Sequence, residues 1–308
     1  MDKRIILFAA GALMMAACSS NDPEAPASTG EIRLYTEVAA QTRAAEMPID
    51  LQDTQFAAGT DISVLVTDKG NLSTTLVSYD PEVYRADGIG GLAPVNKQYY
   101  PASGNYVDIW AYHPWDAQAT EKFSVKADQT STADYRASDL MWARLADVTK
   151  DTPEAGRVLK FDHLFTKVIV RLVKGNGVTD AEMNTARITL GDDDLVMGGT
   201  FDVLSGSFER DNTDKGTLLI AKDAGTSLHA AVVVPQEMEG KKLSVGFVAD
   251  NAVYATQSYV IPATTVYQAG KKYTYTITVN KAELIVTATI KDWTTPDGWV
   301  DPTPKINI

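Results

Sequence analysis

Short segments of alternating or continuous apolar residues recur along almost the whole of this 308-residue chain. Gly, Asn and Asp separate them at intervals of about 8–12 residues, which is the spacing of strands in a β-sandwich. The longest β-like stretch covers residues 158–173. One helix is indicated, where Thr179 and Glu182 have the spacing of a capping box. We therefore predict an all-β chain.

The length of the chain is sufficient for two domains of ordinary size. A weak internal repeat supports two, because the strands within residues 32–66 resemble a pair within residues 168–190. Residues 151–156 are rich in Pro, Gly and acidic side chains and form the best local linker. We predict an N-terminal β-sandwich over residues 31–160 and a C-terminal β-sandwich with a tail over residues 161–308.

Residues 1–17 have the layout of a secretory signal peptide, with a basic start, an apolar run and small residues at the end. The apolar run is too short to span a bilayer as a helix. Cys18, the only cysteine, follows directly and looks like the cysteine of a bacterial lipobox, which implies acylation there. The alternative is an ordinary signal peptide with an incidental cysteine. Residues 18–30 then form a flexible tether.

Strict alternation in residues 31–38 predicts a half-buried β-strand. One face carries Ile32, Leu34, Thr36 and Val38, and the other carries Arg33, Tyr35 and Glu37.

A small, polar stretch follows the first strand at residues 41–45 and contains one arginine, Arg43. Exposed loops of this composition are preferred sites of proteolysis. A cut between Arg43 and Ala44 would separate the lipid and the first strand from the rest of the chain.

The net charge of −12 limits the partners of the chain. Removing residues 1–17, which hold two bases and one acid, would make it about −13, and such acidity argues against nucleic acid and anionic membranes. Once Cys18 is acylated, no thiol is left for a disulfide or a metal. No later apolar run approaches transmembrane length, so we predict membrane attachment by lipid only.

Enzymatic interpretations find little support. His113, His163 and His229 lie in no metal-ligand spacing, and no Gly-x-Ser-x-Gly motif precedes a helix. We predict no catalytic residue, no cofactor and no metal site.

Short motifs in a consistent order over about 90% of the chain resemble those of the Bacteroidales fimbrillin family, the Mfa-like or FimA-like type V pilin subunits. They are Cys18, Thr42-Arg43-Ala44, Phe56 with Gly59 and Ile62, Tyr99-Tyr100-Pro101, Val107-Asp108-Ile109 with Ala111-Tyr112, Asp128-Gln129, Ser138-Asp139-Leu140-Met141, Phe161 with His163, Leu164 and Lys167, Val234-Pro235-Gln236, Gly270-Lys271-Lys272-Tyr273 with Tyr275, and Ile290 with Trp293.

This resemblance implies two transthyretin-like β-sandwich domains in tandem and export as an outer-membrane lipoprotein. It also implies that a trypsin-like surface protease cuts after Arg43 and releases the strand that holds Ile32, Leu34 and Val38. A strand from another fimbrial subunit, the same or a minor one, then takes the position that the released strand has left. The product is a fimbria on the cell surface. The ligand, from the host or from bacteria, is not identified.

The segment that would be donated is the open point. Leu284, Val286, Ala288 and Ile290 alternate on one face and form the candidate donor strand. The alternative is that this strand closes its own domain.

A second function is a lipid-anchored surface module that binds glycans and does not polymerise. It would use the aromatic side chains of Tyr99, Tyr100, Tyr106, Trp110, Tyr112 and Trp115. The competing interpretation is that these side chains alternate along strands and fill the core.

Overall fold

The computed structural model describes residues 30–38, 55–69, 81–102, 106–114, 122–222, 228–249, 252–281 and 283–293. Their regular secondary structure is almost entirely β-strand, and the prediction of an all-β chain is confirmed. The described strands are β1 (Leu34–Val38), β2 (Asp61–Asp68), β3 (Glu82–Ala86), β4 (Gly91–Pro94), β5 (Val107–His113), β6 (Lys122–Ser124), β7 (Met141–Val148), β8 (Val158–His163), β9 (Thr166–Lys174), β10 (Arg187–Val196), β11 (Gly198–Asp202), β12 (Ser207–Arg210), β13 (Lys215–Leu219), β14 (Ala221–Lys222), β15 (Leu228–Val233), β16 (Lys242–Ala249), β17 (Ala252–Val260), β18 (Lys271–Val279) and β19 (Leu284–Asp292).

Two short α-helices interrupt the strands, α1 (Thr132–Ala137) and α2 (Asp180–Thr185), with a 3₁₀ turn at Glu154–Gly156. The predicted capping box is confirmed at the start of α2. The Thr179 side chain accepts from the Glu182 amide, and the Glu182 carboxylate accepts from the Thr179 amide at 2.8 Å. The box satisfies two amides that the helix itself leaves without partners.

Seven strands of the first half form a closed barrel in the order β1-β4-β3-β2-β5-β7-β8. β1 completes the ring, because it lies antiparallel to β4 and parallel to β8. The seven strands pair into one sheet that closes on itself, and the division into the two stacked sheets of a sandwich stays a prediction. Alternation shows which side chains face inward, but it does not show which strands are neighbours.

The remaining strands, all from the second half of the chain except β6, form two larger sheets and a small one. The orders are β13-β10-β16-β17, β14-β15-β9-β18-β19 and β12-β11-β6. Their inward side chains form a second buried core, in which Phe165, Val170, Leu190, Val245 and Tyr275 are completely or almost completely buried.

The two cores do not divide at one point of the chain. Residues 122–140, which precede β7 of the barrel, contribute Val125, Tyr135 and Leu140 to the second core. The buried Gln129 side chain holds this segment in place, because its amide donates to the Val232 carbonyl and its oxygen accepts from the Val232 amide, both at 2.8 Å.

Two tryptophans of the barrel bind the hairpin between β11 and β12. The Trp142 indole donates to the Val203 carbonyl at 2.7 Å, and the Trp110 indole donates to the Leu204 carbonyl at 3.1 Å. Gly206, with φ of +69°, lies against the Trp142 ring so closely that a Cβ atom would come within 2.6 Å of it. The hairpin therefore joins the barrel to the second core.

Candidate functional site

The side chains of the first strand are divided between core and solvent as the alternation predicts. Ile32, Leu34 and Val38 are 2%, 1% and 0% exposed and belong to the barrel core, and Thr36 is buried beside them. Arg33 and Glu37 are exposed on the outer face. The prediction of a half-buried strand is confirmed for Leu34–Val38, and Ile32, which precedes this strand, is buried in the same core.

Main-chain hydrogen bonds hold the first strand on both sides. On the β4 side, the Thr36 amide donates to the Gly90 carbonyl at 2.8 Å, and the Ile32 amide donates to the Gln98 carbonyl at 2.7 Å. On the β8 side, the Tyr35 amide donates to the Arg157 carbonyl at 2.9 Å, and Tyr35 to Val38 lie opposite residues 158–161. The strand is thus inserted between two others.

The outer face of the strand is held by weaker contacts. Glu37 and Lys160 lie 4.0 Å apart with both side chains exposed, which is worth little in water. The Tyr35 hydroxyl interacts with Glu154, and this contact raises the pKa of the phenol. Binding of the strand therefore depends on its buried face and its main chain.

The space that β1 occupies between β4 and β8 is named here the β1 slot. Its inner wall is the barrel core, which includes Phe56, Leu92, Leu159 and Phe161. Without β1, the barrel would have two open sheet edges and an uncovered apolar groove, and both features are costly in water. The arrangement can accept another strand with the same alternation.

The predicted lipidation and cleavage residues, Cys18 and Arg43 with Ala44, lie outside the described residues. The last described residue of β1 is Val38, five positions before Arg43.

The candidate donor residues lie on β19, at the edge of the five-stranded sheet. β19 pairs with β18 along its whole length, from Leu284 opposite Val279 to Asp292 opposite Lys271. Val286 is buried, and Leu284 and Ala288 are half-buried. Ile290 is 50% exposed, so the predicted apolar face is not continuous in this position. This is the arrangement expected of a strand that closes its own sheet.

The aromatic residues considered for glycan binding are spread between core and surface. Trp110 and Tyr100 are buried, Tyr112 is half-buried, and Tyr99 and Tyr106 are exposed. Trp115 lies outside the described residues. The buried members cannot stack on a sugar, so the described part of this set does not form a continuous aromatic platform.

Two of the three histidines meet at one aspartate, which their sequence spacing did not reveal. His113 Nδ1 lies 3.2 Å from the Asp139 carbonyl oxygen, and His163 Nδ1 lies 2.9 Å from Asp139 Oδ1. The His163 ring stacks on Trp293 at 4.0 Å. Within the described residues, no group of three or more His, Cys, Asp or Glu side chains is arranged to hold a metal ion. This buried cluster, which consists of His113, His163, Asp139 and Trp293, packs the barrel against the end of β19.

The fold and this site define an all-β protein whose first strand completes a closed sheet. A family model described as fimbrillin-like matches residues 42–293. The chain therefore belongs to the fimbrillin-like family, as the sequence motifs predict. Proteins of this family are fimbrial structural and adhesion proteins and not enzymes.

Similar proteins come from Bacteroides. A protein of Bacteroides uniformis assigned as fimbrium subunit Fim1C is 24% identical over 211 residues, which are 65% of this chain and 66% of that protein. The match thus spans just under two thirds of the length of that relative.

Two crystal structures of proteins assigned to cell adhesion share the fold. The one from Bacteroides uniformis has a TM-score of 0.65 at 18% identity, covering 86% of this chain and 98% of its own. The one from Bacteroides ovatus has a TM-score of 0.65 at 21% identity, covering 85% and 97%. Separately, none of the helices in the described residues is long and apolar enough to cross a membrane.

Proposed function

We propose that this chain is a structural or adhesive subunit of a cell-surface fimbria, and that it polymerises by donor-strand exchange. The observation that carries the proposal is the position of β1, which alone connects β4 to β8 and closes the barrel. The similarity to a fimbrium subunit and to cell-adhesion proteins supports the same assignment.

In this proposal the chain forms two tandem domains of the transthyretin-like β-sandwich type, divided near residue 160, with residues 122–140 packed into the second core and β8 completing the first. The barrel would then be a sandwich whose two sheets are joined at one edge by β1. Removal of β1 would separate those sheets at that edge only, so the rest of the fold would keep its hydrogen bonds.

The route of export begins with residues 1–17 as a signal peptide and acylation of Cys18. The lipid and the tether of residues 18–30 would hold the subunit at the outer membrane until a trypsin-like protease cuts between Arg43 and Ala44. The cut would free the subunit from its lipid and β1 from its covalent connection at the same time.

Refilling of the β1 slot has a clear physical driving force. Loss of Ile32, Leu34 and Val38 uncovers the groove that these side chains cover, and full burial of each is worth about 1.5–3 kcal/mol. An incoming strand from another fimbrial subunit would restore this burial together with the main-chain hydrogen bonds at Gly90 and Arg157.

The donor strand is a separate part of the proposal. Leu284, Val286, Ala288 and Ile290 could serve only after β19 leaves β18, because the two strands pair over nine positions. Whether the subunit lies in the shaft, at the tip or at the base follows from which segment is donated.

The proposal is tested by replacing Arg43 with Ala and sequencing the N-terminus of protein recovered from the cell surface. We expect Ala44 as the first residue of the unchanged protein, and only acylated Cys18 with no polymer for Arg43→Ala. Arg33→Ala is the matched control, since Arg33 is also an arginine but lies within the first strand. Normal fibres from Arg43→Ala would contradict the proposed cleavage.

A further inference from the structure

A cavity of about 370 Å³ lies in the second half of the protein, against the hairpin that joins β11 to β12. Its apolar lining comes from separate parts of the chain and includes Leu164, Phe208, Val266 and Tyr267. Two charged residues, Arg210 and Glu237, also lie in the lining. Sites that bind ligands have this range of volume and combine apolar walls with a few polar groups.

The walls of the cavity are held by contacts within the fold. The Gln236 amide donates to the Tyr267 carbonyl at 3.0 Å, and the Tyr267 amide donates to the Gln236 carbonyl at 2.8 Å. The Phe208 ring meets the Phe165 ring edge-on, with centroids 4.8 Å apart. The Tyr267 hydroxyl donates to the Tyr275 hydroxyl at 3.0 Å. Binding in this cavity therefore costs little reorganisation of the protein.

One residue of the lining is left partly in water. Val266 is 41% exposed, and its carbonyl accepts a hydrogen bond from the Tyr273 hydroxyl, which fixes the main chain there. A single exposed valine is ordinary on a protein surface. This one borders an apolar cavity, so one large apolar group can fill the cavity and cover the valine at the same time.

The chain leaves its last described residue beside this cavity. The Trp293 amide donates to the Gly270 carbonyl at 2.7 Å, and Ala269, the residue before Gly270, lies in the lining. Residues 294–308 follow and lie outside the described residues. Trp299 is six positions after Trp293, which an extended chain spans in about 20 Å. A side chain tethered at this distance has an effective concentration of about millimolar.

The sequence around Trp299 matches the apolar part of the cavity. Residues 297–301 read Asp-Gly-Trp-Val-Asp and are named here the Trp299 segment. Its indole ring is a large apolar group, and aromatic rings pack favourably on the rings of Phe208 and Tyr267.

The charges of the segment match the polar part of the cavity. Arg210 Nη1 donates to Glu237 at 2.8 Å and to the Pro235 carbonyl at 3.5 Å. A guanidinium has three further N–H donors on Nη2 and Nε, which suit a second carboxylate. Asp297 and Asp301, on either side of Trp299, each supply one.

We propose that the Trp299 segment binds in this cavity, with the Trp299 indole against Phe208 and Tyr267 and an aspartate of the segment on Arg210. The contact lies within one chain and is independent of the proposed polymerisation. Because the segment follows directly from β19, its binding holds this edge strand on β18. Release of β19 then requires that Trp299 leave the cavity first.

The experiment uses the full chain labelled with 5-fluorotryptophan, in which ¹⁹F NMR gives one signal for each tryptophan. Loss of a signal in Trp299→Phe assigns Trp299, and a labelled peptide of residues 294–308 gives its unbound position. The cavity variant is Val266→Asp, and Val260→Asp is its matched control, because Val260 is 56% exposed on β17. Hydrogen exchange of the β19 amides is measured for Trp299→Ser and for the tail control Ile306→Ser.

We expect the Trp299 signal to differ from that of the peptide in the unchanged chain and in Val260→Asp, and to return to the peptide position in Val266→Asp. The β19 amides should exchange at least about tenfold faster in Trp299→Ser and at the unchanged rate in Ile306→Ser. A Trp299 signal at the peptide position in the unchanged chain, or one that Val266→Asp does not move, would overturn the inference. A signal that returns to the peptide position on dilution would overturn it too, because the segment would then come from a second copy.

Discussion

At the scale of single residues, burial controls the protonation of His113, which lies beside Asp139. His113 Nδ1 faces the Asp139 carbonyl oxygen, which can only accept, so the neutral ring carries its proton on Nδ1. Burial lowers the pKa of His113 from 6.5 to about 4, although the Asp139 contacts oppose the shift. The charged form is therefore disfavoured in the folded state.

The lowered pKa of His113 predicts a loss of stability in mild acid. Above pH 6.5 the ring is neutral in both states, and as the pH falls towards 4 the unfolded chain takes up a proton that the folded chain does not. We expect this residue to remove about 3 kcal/mol between those values, at about 1.4 kcal/mol for each pKa unit. Urea unfolding of the unchanged chain and of His113→Gln at pH 7 and pH 5 measures the part of this loss that falls above pH 5, about 2 kcal/mol. Equal pH slopes for both proteins would contradict the prediction.

At the scale of elements, β1 shows what the sequence could predict. The alternation of Ile32, Leu34 and Val38 is sufficient to predict a strand and its buried face, because the period of side chains in a strand is two. The parallel pairing of β1 with β8 cannot be predicted from alternation, because it depends on where residues 158–161 lie after folding. The exposure of Ile290 was also missed, because alternation does not show that β19 is an edge strand.

The turn at residues 87–91 joins β3 to β4 beside the first strand, and its exposed isoleucine, Ile89, was not predicted from the sequence. The available signal was the segment Asp87-Gly88-Ile89-Gly90-Gly91, in which an apolar residue stands among turn formers. Such a pattern predicts a turn, but only the structure shows that Ile89 is exposed beside the first strand.

The inner face of β1 predicts a sharp difference between neighbouring substitutions. Leu34→Ala removes a buried side chain and should lower the free energy of unfolding by about 2–5 kcal/mol. Arg33→Ala removes an exposed side chain directly before β1 and should change the free energy of unfolding by less than about 0.5 kcal/mol. Urea denaturation of the uncleaved chain compares them. If the two variants lost equal stability, β1 would not be held by its buried face.

At the scale of the whole molecule, the two cores are connected by contacts that no local sequence pattern predicts. Residues 122–140 belong to the second core although β7 of the barrel follows them. Gln129 and the two tryptophan indoles act across long separations in the chain, so their partners could not be predicted from sequence spacing.

The hairpin that joins the cores gives a test of their coupling. Gly206→Ala places a Cβ at 2.6 Å from the Trp142 ring and in a left-handed conformation, so we expect a loss of about 2–4 kcal/mol. Gly240→Ala is the matched control, because φ is +72° there and nothing lies within 4 Å of the added atom. It should cost only about 1 kcal/mol. Calorimetry measures both, and similar losses would show that the hairpin contact does not stabilise the molecule.

The parallel pairing of β1 with β8 also affects the order in which the strands pair during folding. Tyr35 lies opposite Val158, about 120 residues further along the chain, so the closing contact has one of the longest loops in the barrel. Loop-closure entropy makes such contacts slow to form. We expect β1 to enter last during folding, after the other six strands have paired. The chain therefore passes through a stage in which the other six strands of the barrel are paired and the β1 slot is still open. At that stage its own first strand competes for the slot with any strand from another subunit.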